Sequence, residues 1–417
     1  MSTELATLLR HDTGRDHRPV GAVVTGLGIV SPIGLGVERF WAATLAGRSG
    51  IAEITRFDAS GYPSRLAGEV DGFRPEEHIS SRLLPQTDHM TRMALAATDW
   101  ALADAGVDPA GRPEYSMSVA TAASAGGFEF GQRELEKLWG RGPLHVSAYQ
   151  SFAWFYAVNT GQISIRHGMR GPSGVVVGDG ASGLDVIAQA RRLLRRGSGL
   201  VVTGSVDSNL CPWGWVAHLA GGGVSTVDDP AAAYRPFDSA TSGYVPGEGG
   251  AILVLEDRDS AGDRGYGLVA GHGATFDGPD EPPGAGLRRS AELALDDAGI
   301  GPDRVDLVLA DAAGSLDLDL AEVAVLTALF GEWGVPVTAP KTMTGRLSSG
   351  SAPLDVATAL LALRDGVVPP TVHVTAPHPA IDLVRDRPRP APLSTVLVLA
   401  RGRGGFNSAL VVQRLAV

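Results

Sequence analysis

The chain has 417 residues, of which 44% are hydrophobic and 19% are charged, so it can bury a large core and is not a wholly disordered protein. Its formal net charge of −11 makes nucleic acid and anionic membranes poor partners. Its single cysteine, Cys211, excludes an intramolecular disulfide and fits a reducing cytoplasm.

The N-terminal segment, residues 1–19, is polar and charged throughout and lacks the apolar core of a secretory signal. We expect a flexible tail there. The longest apolar runs of the chain, such as residues 251–255, are far too short to span a membrane. The sequence therefore predicts a cytoplasmic protein that does not enter the membrane.

Short apolar runs alternate with helical patterns along the rest of the chain. The run at 20–25 predicts a strand, which a glycine-bearing segment with Leu27 and Ile29 follows, and apolar residues at helical spacing predict a helix over 91–105. Further runs predict short buried strands at 174–177, 200–203, 251–255, 307–310, 335–338 and 396–400. Strands that alternate with helices in this way predict an α/β fold.

Two helical patterns recur in the same order along the chain. Ala-Leu-Ala-Asp-Ala-Gly at 101–106 returns as Ala-Leu-Asp-Asp-Ala-Gly at 294–299, and the pattern at 184–197 returns at 354–366. Such helix endings are common, but two matches in the same order favour an internal duplication. We predict an N-terminal half at 20–258 and a C-terminal half at 259–417, joined by a polar, glycine-bearing seam.

A glycine-flanked turn at 178–183 joins a predicted strand to a predicted helix, which is the geometry of a nucleophile elbow. The elbow position holds Gly180, which has no side chain and cannot attack a substrate. Asp179 is a possible general base, although a carboxylate at a helix start is more often an N-cap. Ser182 is a possible nucleophile, although no base is evident beside it.

Other reactive residue types show no functional pattern. Cys211 follows no activating turn and is interpreted as a buried structural cysteine. The ten histidines are scattered, and none pairs with another ligand at metal-binding spacing, so we predict no metal. The glycines at 221–223 and 247–250 fit turns rather than a phosphate-binding loop.

Three segments together resemble the β-ketoacyl synthases of the thiolase fold. They are Val-Thr-Gly-Leu-Gly-Ile-Val-Ser-Pro-Ile-Gly at 24–34, the elbow at 178–183, and Pro-Phe-Asp-Ser-Ala-Thr-Ser-Gly-Tyr-Val-Pro-Gly-Glu-Gly at 236–249. The resemblance extends over residues 20–415 and implies a thiolase fold with duplicated αβαβα layered halves.

The resemblance implies a catalytic Cys-His-His set, and this chain departs from it at all three positions. Gly180 stands where the family has its cysteine, Asp311 where it has the first histidine, and Arg346 where it has the second. The family lysine is retained as Lys341. Glycine cannot hold an acyl chain as a thioester, a carboxylate repels developing negative charge, and an arginine cannot act as a base near neutral pH.

Three further positions belong to the same resemblance. Asp319 and Glu322 match the carboxylates that follow the first histidine, and Arg403 stands where the family has a gating phenylalanine. With three substitutions at the catalytic positions, we interpret the site as vacated. We predict a chain that is not an enzyme by itself and binds no cofactor.

Segments at 151–162, 169–173, 212–215 and 341–346 resemble the chain length factors of type II aromatic polyketide synthases, which are degenerate homologues that pair with an active ketosynthase. This resemblance implies a heterodimer with a catalytic ketosynthase subunit. It also implies an acyl carrier protein that delivers the phosphopantetheine-linked polyketide through that partner. The growing chain would enter a tunnel at the subunit interface.

By the same resemblance, the tunnel-lining positions are Phe128, Gly131 and Leu135 on one helix face, with Phe152 and Trp213 deeper. Gly131 and Leu135 are smaller than the residues of some short-chain members. We therefore expect a tunnel that accepts more than eight ketide units. Ordinary interface packing is the simpler interpretation of the same residues and is compatible with a tunnel wall.

Two alternatives stay open at the level of sequence. One is a stand-alone decarboxylase of malonyl-acyl carrier protein that uses Lys341 and the backbone amides of the elbow. The other is a structural scaffold that has no influence on product length.

Overall fold

The computed structural model describes residues 21–415. It contains one large mixed sheet, whose two halves enclose a middle layer of helices and carry further helices on their outer faces. The predicted tail at 1–19 lies outside the described residues. The strands are β1 Ala22–Ser31, β2 Gly34–Leu35, β3 Ile51–Glu53, β4 Leu66–Gly68, β5 Met117–Ala123, β6 Ser173–Val177, β7 Leu200–Asp207, β8 Gly249–Asp257, β9 Gly267–Phe276, β10 Leu307–Leu309, β11 Pro336–Thr338, β12 Val367–Val368, β13 Asp382–Leu383, β14 Arg389–Pro390, β15 Thr395–Gly402 and β16 Phe406–Gln413. The α-helices are α1 Val37–Leu45, α2 Pro75–His78, α3 His89–Asp104, α4 Phe128–Arg141, α5 Gln150–Ala153, α6 Val158–His167, α7 Ser182–Arg195, α8 Pro212–Ala220, α9 Arg258–Ala261, α10 Ala285–Ala298, α11 Leu316–Phe330 and α12 Ser351–Asp365.

The strand order shows the duplication directly. From the centre outwards, one half runs β1-β8-β7-β5-β6 and the other runs β9-β16-β15-β10-β11, with β13 beyond β11. In each half the first two pairings are antiparallel and the next two are parallel. β1 and β9 pair with each other at the centre. The two recurring sequence patterns fall on corresponding helices, α3 with α10 and α7 with α12.

Three hydrophobic clusters separate the layers. α3 and α6 cover one outer face, α10 and α11 cover the other, and α7 and α12 lie between the two halves of the sheet. The middle helix α12 is buried around its whole circumference, from Ser351 to Leu363. A helix that is apolar on every side is expected in a layer enclosed from both directions. The predicted α/β fold with duplicated αβαβα halves is confirmed.

The first strand is longer than predicted. β1 continues through the glycine-bearing segment to Ser31, with a bulge between Val24 and Gly26. Glycine is needed in this strand because α3 lies directly against it. A Cβ at Gly28 would lie 1.8 Å from the carbonyl oxygen of Ala97. Helix α3 can therefore pack directly on the backbone of β1.

Candidate functional site

The turn between β6 and α7 is the predicted elbow. β6 ends at Val177 and α7 begins at Ser182, so Gly180 lies at the strand-to-helix turn. An ideal Cβ at Gly180 would be 2.7 Å from the carbonyl oxygen of Arg401, which is closer than real Cβ contacts. The backbone of β15 therefore occupies the space that a side chain at this position would need.

The two residues beside Gly180 have local roles. The Ser182 hydroxyl donates a hydrogen bond of 2.7 Å to the carbonyl oxygen of Asp179, so its proton is committed to the turn. The N-cap position of α7 is Ala181, and no side chain caps this helix. The favoured interpretation of Asp179 as an N-cap is therefore wrong. Its carboxylate instead lines a cavity, 3.8 Å from Nε of Arg403.

Asp311 and Arg346 form a buried ion pair in front of the elbow. Arg346 Nη2 donates to Asp311 Oδ1 at 2.9 Å, and Arg346 Nη1 donates to the carbonyl oxygen of Asp311 at 2.7 Å. The same Nη2 lies 3.6 Å from the position of a Cβ at Gly180. The structure thus brings together the three positions that the sequence singles out.

A second arginine completes this cluster. The backbone N–H of Arg401 donates to Asp311 Oδ1 and its Nε donates to Asp311 Oδ2, both at 2.9 Å. Its Nη2 also donates to Glu322 Oε2 at 2.8 Å. Two guanidinium groups therefore share one buried carboxylate. Arg401 was not predicted from the sequence, although it lies two residues before Arg403 in the same hairpin.

The loop that carries Asp311 is held by two carboxylates of α11. Glu322 accepts hydrogen bonds from the backbone N–H groups of Asp311 and Ala312, at 2.7 and 3.0 Å. Asp319 accepts from those of Gly314 and Phe237, each at 3.1 Å. Ala312 has a φ of 51°, a strained conformation for a residue with a side chain. The carboxylates that match the family pattern thus fix the shape of this loop.

The pKa values of Asp311 and Asp319 are shifted in opposite directions, because charge dominates at the first and burial at the second. Burial acts to raise the pKa of Asp311, but the positive charges of Arg346, Arg401 and Lys341 hold it well below its usual range. Burial, with a smaller contribution from Glu322, raises the pKa of Asp319 to about 7. Asp311 is therefore a carboxylate at neutral pH, and it forms ion pairs with both arginines beside it.

Lys341 is buried behind the cluster, where its ammonium group makes two hydrogen bonds and one ion pair. Its Nζ donates to the carbonyl oxygens of Ala310 and Asp311, at 2.7 and 3.1 Å, and it forms an ion pair of 2.8 Å with Asp355. An ammonium group carries three N–H donors, and three acceptors surround this one. Lys341 is thus placed to support the backbone of the Asp311 loop.

A cavity of about 560 Å³ opens in front of the elbow. Phe128, Asp179, Tyr244, Asp311 and Arg403 contribute to its walls, together with Arg346 and Arg401. His218 also faces this cavity, and burial together with the nearby charge of Arg403 lowers its pKa to about 4. This histidine is therefore neutral at neutral pH.

The predicted tunnel residues lie around helix α4. Phe128 stacks on Trp213 with ring centroids 4.4 Å apart, and Gly131 is buried beneath Trp213. Leu135 is half-buried one turn further along α4. Phe152 lies on the short helix α5, where its ring contacts Tyr149 at a centroid distance of 5.7 Å. Trp154, which was not predicted from the sequence, also lies against Gly131, with its Cδ1 2.7 Å from the position of a Cβ there.

Comparison with known proteins identifies the family. The chain matches the family model of the β-ketoacyl synthase N-terminal domain at residues 20–261 and that of the C-terminal domain at residues 266–375. The chain belongs to the β-ketoacyl synthase family. The resemblance drawn from the sequence motifs is thereby confirmed.

Several β-ketoacyl synthase relatives are similar over nearly their whole length. The tetracenomycin polyketide synthase ketoacyl synthase beta subunit of Streptomyces glaucescens is 59% identical over 404 residues, which cover 95% of this chain and 99% of that protein. The actinorhodin polyketide putative beta-ketoacyl synthase 2 of Streptomyces coelicolor is 56% identical with the same coverage. The solved structure of the ishigamide ketosynthase/chain length factor superposes with a TM-score of 0.88 at 28% identity, and covers 95% of this chain and 100% of that one.

Cysteine burial, membrane-spanning helices and metal ligands can also be assessed in this β-ketoacyl synthase homologue. Cys211 is buried, as predicted, and burial raises the pKa of its thiol to about 11. Within residues 21–415, no helix combines the length and apolar character that crossing a membrane requires. In the same range, no three His, Cys, Asp or Glu side chains converge as a metal site would require.

Proposed function

We propose that this chain is the non-catalytic chain length factor subunit of a type II polyketide synthase. It would pair with a catalytic ketosynthase, and the pair would extend malonyl units on an acyl carrier protein. One relative named as a polyketide synthase ketoacyl synthase beta subunit, and the similar structure named as a ketosynthase/chain length factor, support this assignment. The observation that carries it is the Asp311 carboxylate, held by Arg346 and Arg401 where the family resemblance places catalytic histidines.

The geometry of the elbow supports a non-catalytic role. Gly180 offers no nucleophile, and the Arg401 carbonyl oxygen covers the space above it. Each arginine of the cluster is neutralised by a buried carboxylate, so the cluster supplies neither a general base nor a free charge for an oxyanion. A ketosynthase reaction in the pair would therefore take place on the partner subunit.

The decarboxylase alternative is less well supported. That reaction would need Lys341 to stabilise the negative charge that develops when carbon dioxide leaves. Two N–H donors of Lys341 are committed to the carbonyl oxygens of Ala310 and Asp311, and its charge is paired with Asp355. Lys341 is also absent from the walls of the cavity that a malonyl group would enter.

An exposed sheet edge supports association with a partner. β6 is the terminal strand of its half and pairs only with β5, among the strands that the structure describes. Val177 of this strand is 51% exposed, and the aromatic residues Phe155 and Tyr156, which precede helix α6, are 45% and 43% exposed. An open edge with apolar side chains is a surface that another strand can pair with. We propose that this edge meets the catalytic ketosynthase.

The test of the assignment is native mass spectrometry after co-expression with the cysteine-bearing ketosynthase expected to be its partner. We expect a one-to-one heterodimer, or a dimer of such pairs, and polyketide formation only when both subunits are present. The chain expressed alone should neither condense nor decarboxylate malonyl-acyl carrier protein. A stable homodimer that ignores the ketosynthase, or malonyl decarboxylation by the isolated chain, would contradict the proposal.

We further propose that Phe128, Gly131, Leu135, Phe152 and Trp213 border the polyketide tunnel. The combined substitution of Gly131→Thr and Leu135→Phe should then shorten the product, because the threonine at position 131 would push the Trp154 indole away from α4 and the phenylalanine at position 135 would add bulk to the same helix face. Product length is read by mass spectrometry of the reconstituted pair. Gly140→Ala is the matched control, since it changes the same helix at a position with no neighbour within 4 Å. A lower yield at unchanged length would instead support the scaffold alternative.

A further inference from the structure

The space left by the missing side chain of Gly131 is already filled by this chain. An ideal Cβ at Gly131 would lie 2.7 Å from Cδ1 of Trp154 and 3.1 Å from Cζ3 of Trp213. The rings of Trp154 and Trp213 are nearly parallel, with centroids 6.2 Å apart and planes inclined by 25°. A glycine at this position therefore does not open a channel by itself. It allows an indole to lie against the helix.

The backbone of Trp154 is fixed against the start of α4. A Cβ at Gly126 would lie 1.6 Å from the carbonyl oxygen of Trp154, and a Cβ at Gly127 would lie 2.4 Å from that of Ala153. These two glycines permit a contact of backbone with backbone that leaves no room for adjustment. The backbone of Trp154 is thus closely packed, whereas the residue as a whole is 46% exposed in the isolated chain.

The neighbouring indole is also held in place. The backbone N–H of Trp213, in the first turn of α8, donates a hydrogen bond of 2.8 Å to Oε1 of Gln132 on α4. Trp213 is packed on its other side by Phe128. The Trp154 indole thus lies beside the stacked rings of Trp213 and Phe128, and the backbone of Trp213 is bonded to α4.

We propose that Trp154 is a specificity-determining residue, and that its indole sets how much room the α4 face leaves for the polyketide. This inference rests on the proposed chain length factor function and identifies the side chain through which that function acts at position 131. Its physical basis is that Trp154 combines a fixed backbone, a bulky ring and partial exposure. Removing the ring should enlarge the space beside Gly131 without moving α4.

The experiment compares Trp154→Ala, Trp154→Phe and the wild-type chain, each co-expressed with the catalytic ketosynthase and supplied with malonyl-acyl carrier protein. We expect Trp154→Ala to shift the main product to a longer chain by one or more ketide units, and Trp154→Phe to shift it less. Trp139→Ala is the matched control, because Trp139 is 83% exposed at the far end of α4. It should leave the product distribution unchanged.

The outcomes separate this inference from the proposed function. If Gly131→Thr with Leu135→Phe shortens the product while Trp154→Ala leaves its length unchanged, the role of Trp154 is refuted and the chain length factor assignment stands. If neither set of variants alters length, the length-setting function itself is refuted. If Trp154→Ala abolishes the heterodimer in native mass spectrometry, Trp154 is an interface anchor and the inference is again overturned.

A second measurement tests the geometry without any activity. Gly131→Ala should lower the melting temperature of the otherwise wild-type chain, because the new methyl group collides with the Trp154 ring. In the Trp154→Ala background, the same substitution should lose most of this effect, since alanine is otherwise favoured over glycine within a helix. Equal effects in the two backgrounds would show that Trp154 does not occupy this space.

Discussion

Replacing Asp311 with alanine should lower the free energy of unfolding of the purified chain by about 3–5 kcal/mol, the usual cost of removing one partner from a buried ion pair. The substitution leaves Arg346 and Arg401 facing each other without the carboxylate that both contact. It also removes the acceptor of the backbone N–H of Arg401. Urea denaturation at neutral pH, followed by circular dichroism, measures the effect.

The control for this change is Asp317→Ala, which removes an exposed aspartate from the first turn of α11. It should cost less than about 1 kcal/mol, because it loses only a favourable interaction with the helix dipole. A loss of stability in Asp311→Ala no larger than that of Asp317→Ala would show that Asp311 does not hold the cluster together.

The stabilising effect of Asp311 should also depend on pH in a defined direction. Its pKa in the folded chain is depressed by Arg346, Arg401 and Lys341, although burial acts the other way. A depressed pKa stabilises the fold fully above the ordinary aspartate value of about 3.9, and this contribution disappears as the pH falls towards the lower folded value. The difference in unfolding free energy between wild type and Asp311→Asn should therefore shrink on acidification.

Gly126→Ala should disrupt the start of α4 and with it the proposed tunnel wall. The added methyl group would lie 1.6 Å from the carbonyl oxygen of Trp154, and no side-chain rotation can relieve a collision with backbone. Overpacking of this kind costs typically 1–3 kcal/mol and occasionally more. We expect a loss of that size in denaturant unfolding. We also expect a broader or altered product distribution in the reconstituted pair, because Trp154 and α4 must separate.

Gly140→Ala gives the matched comparison for this substitution. Gly140 lies within α4 and has nothing within 4 Å of an added Cβ. Alanine there should be neutral or should stabilise the chain by up to about 1 kcal/mol, because glycine is the poorer helix former. If Gly126→Ala behaved like Gly140→Ala, the close contact between α4 and the Trp154 backbone would not exist in solution.

The ion cluster in front of the elbow is a structural element of the C-terminal half. A histidine is partly neutral near neutral pH, whereas Asp311 and Arg346 are both charged there. Each buried charge therefore needs an ion-pair partner of opposite sign. Arg401 supplies the additional positive charge that balances Asp311 and Glu322. The cluster joins β15, the Asp311 loop and α11, and it therefore ties together parts of the C-terminal half.

Much of this protein could be inferred from its sequence, because the decisive signals are local. The turn around Gly180 has its own spacing, Asp311 and Arg346 each stand at a fixed distance from a recognisable pattern, and the recurring helix patterns predict the duplication that the strand order displays. Each of these features depends on a few neighbouring residues. They can therefore be identified without knowledge of which distant segments meet.

The tertiary structure decided what depends on contacts between distant segments. Arg401 reaches Asp311 only because β15 lies parallel to β10, which brings residues 90 positions apart into contact. Trp154 covers Gly131 only because two glycines let a separate segment approach α4. When α4 is considered alone, the glycine at position 131 predicts an open space beside the helix. Whether that space is open depends on which side chain the fold places there, and packing of that kind leaves no mark in local sequence spacing.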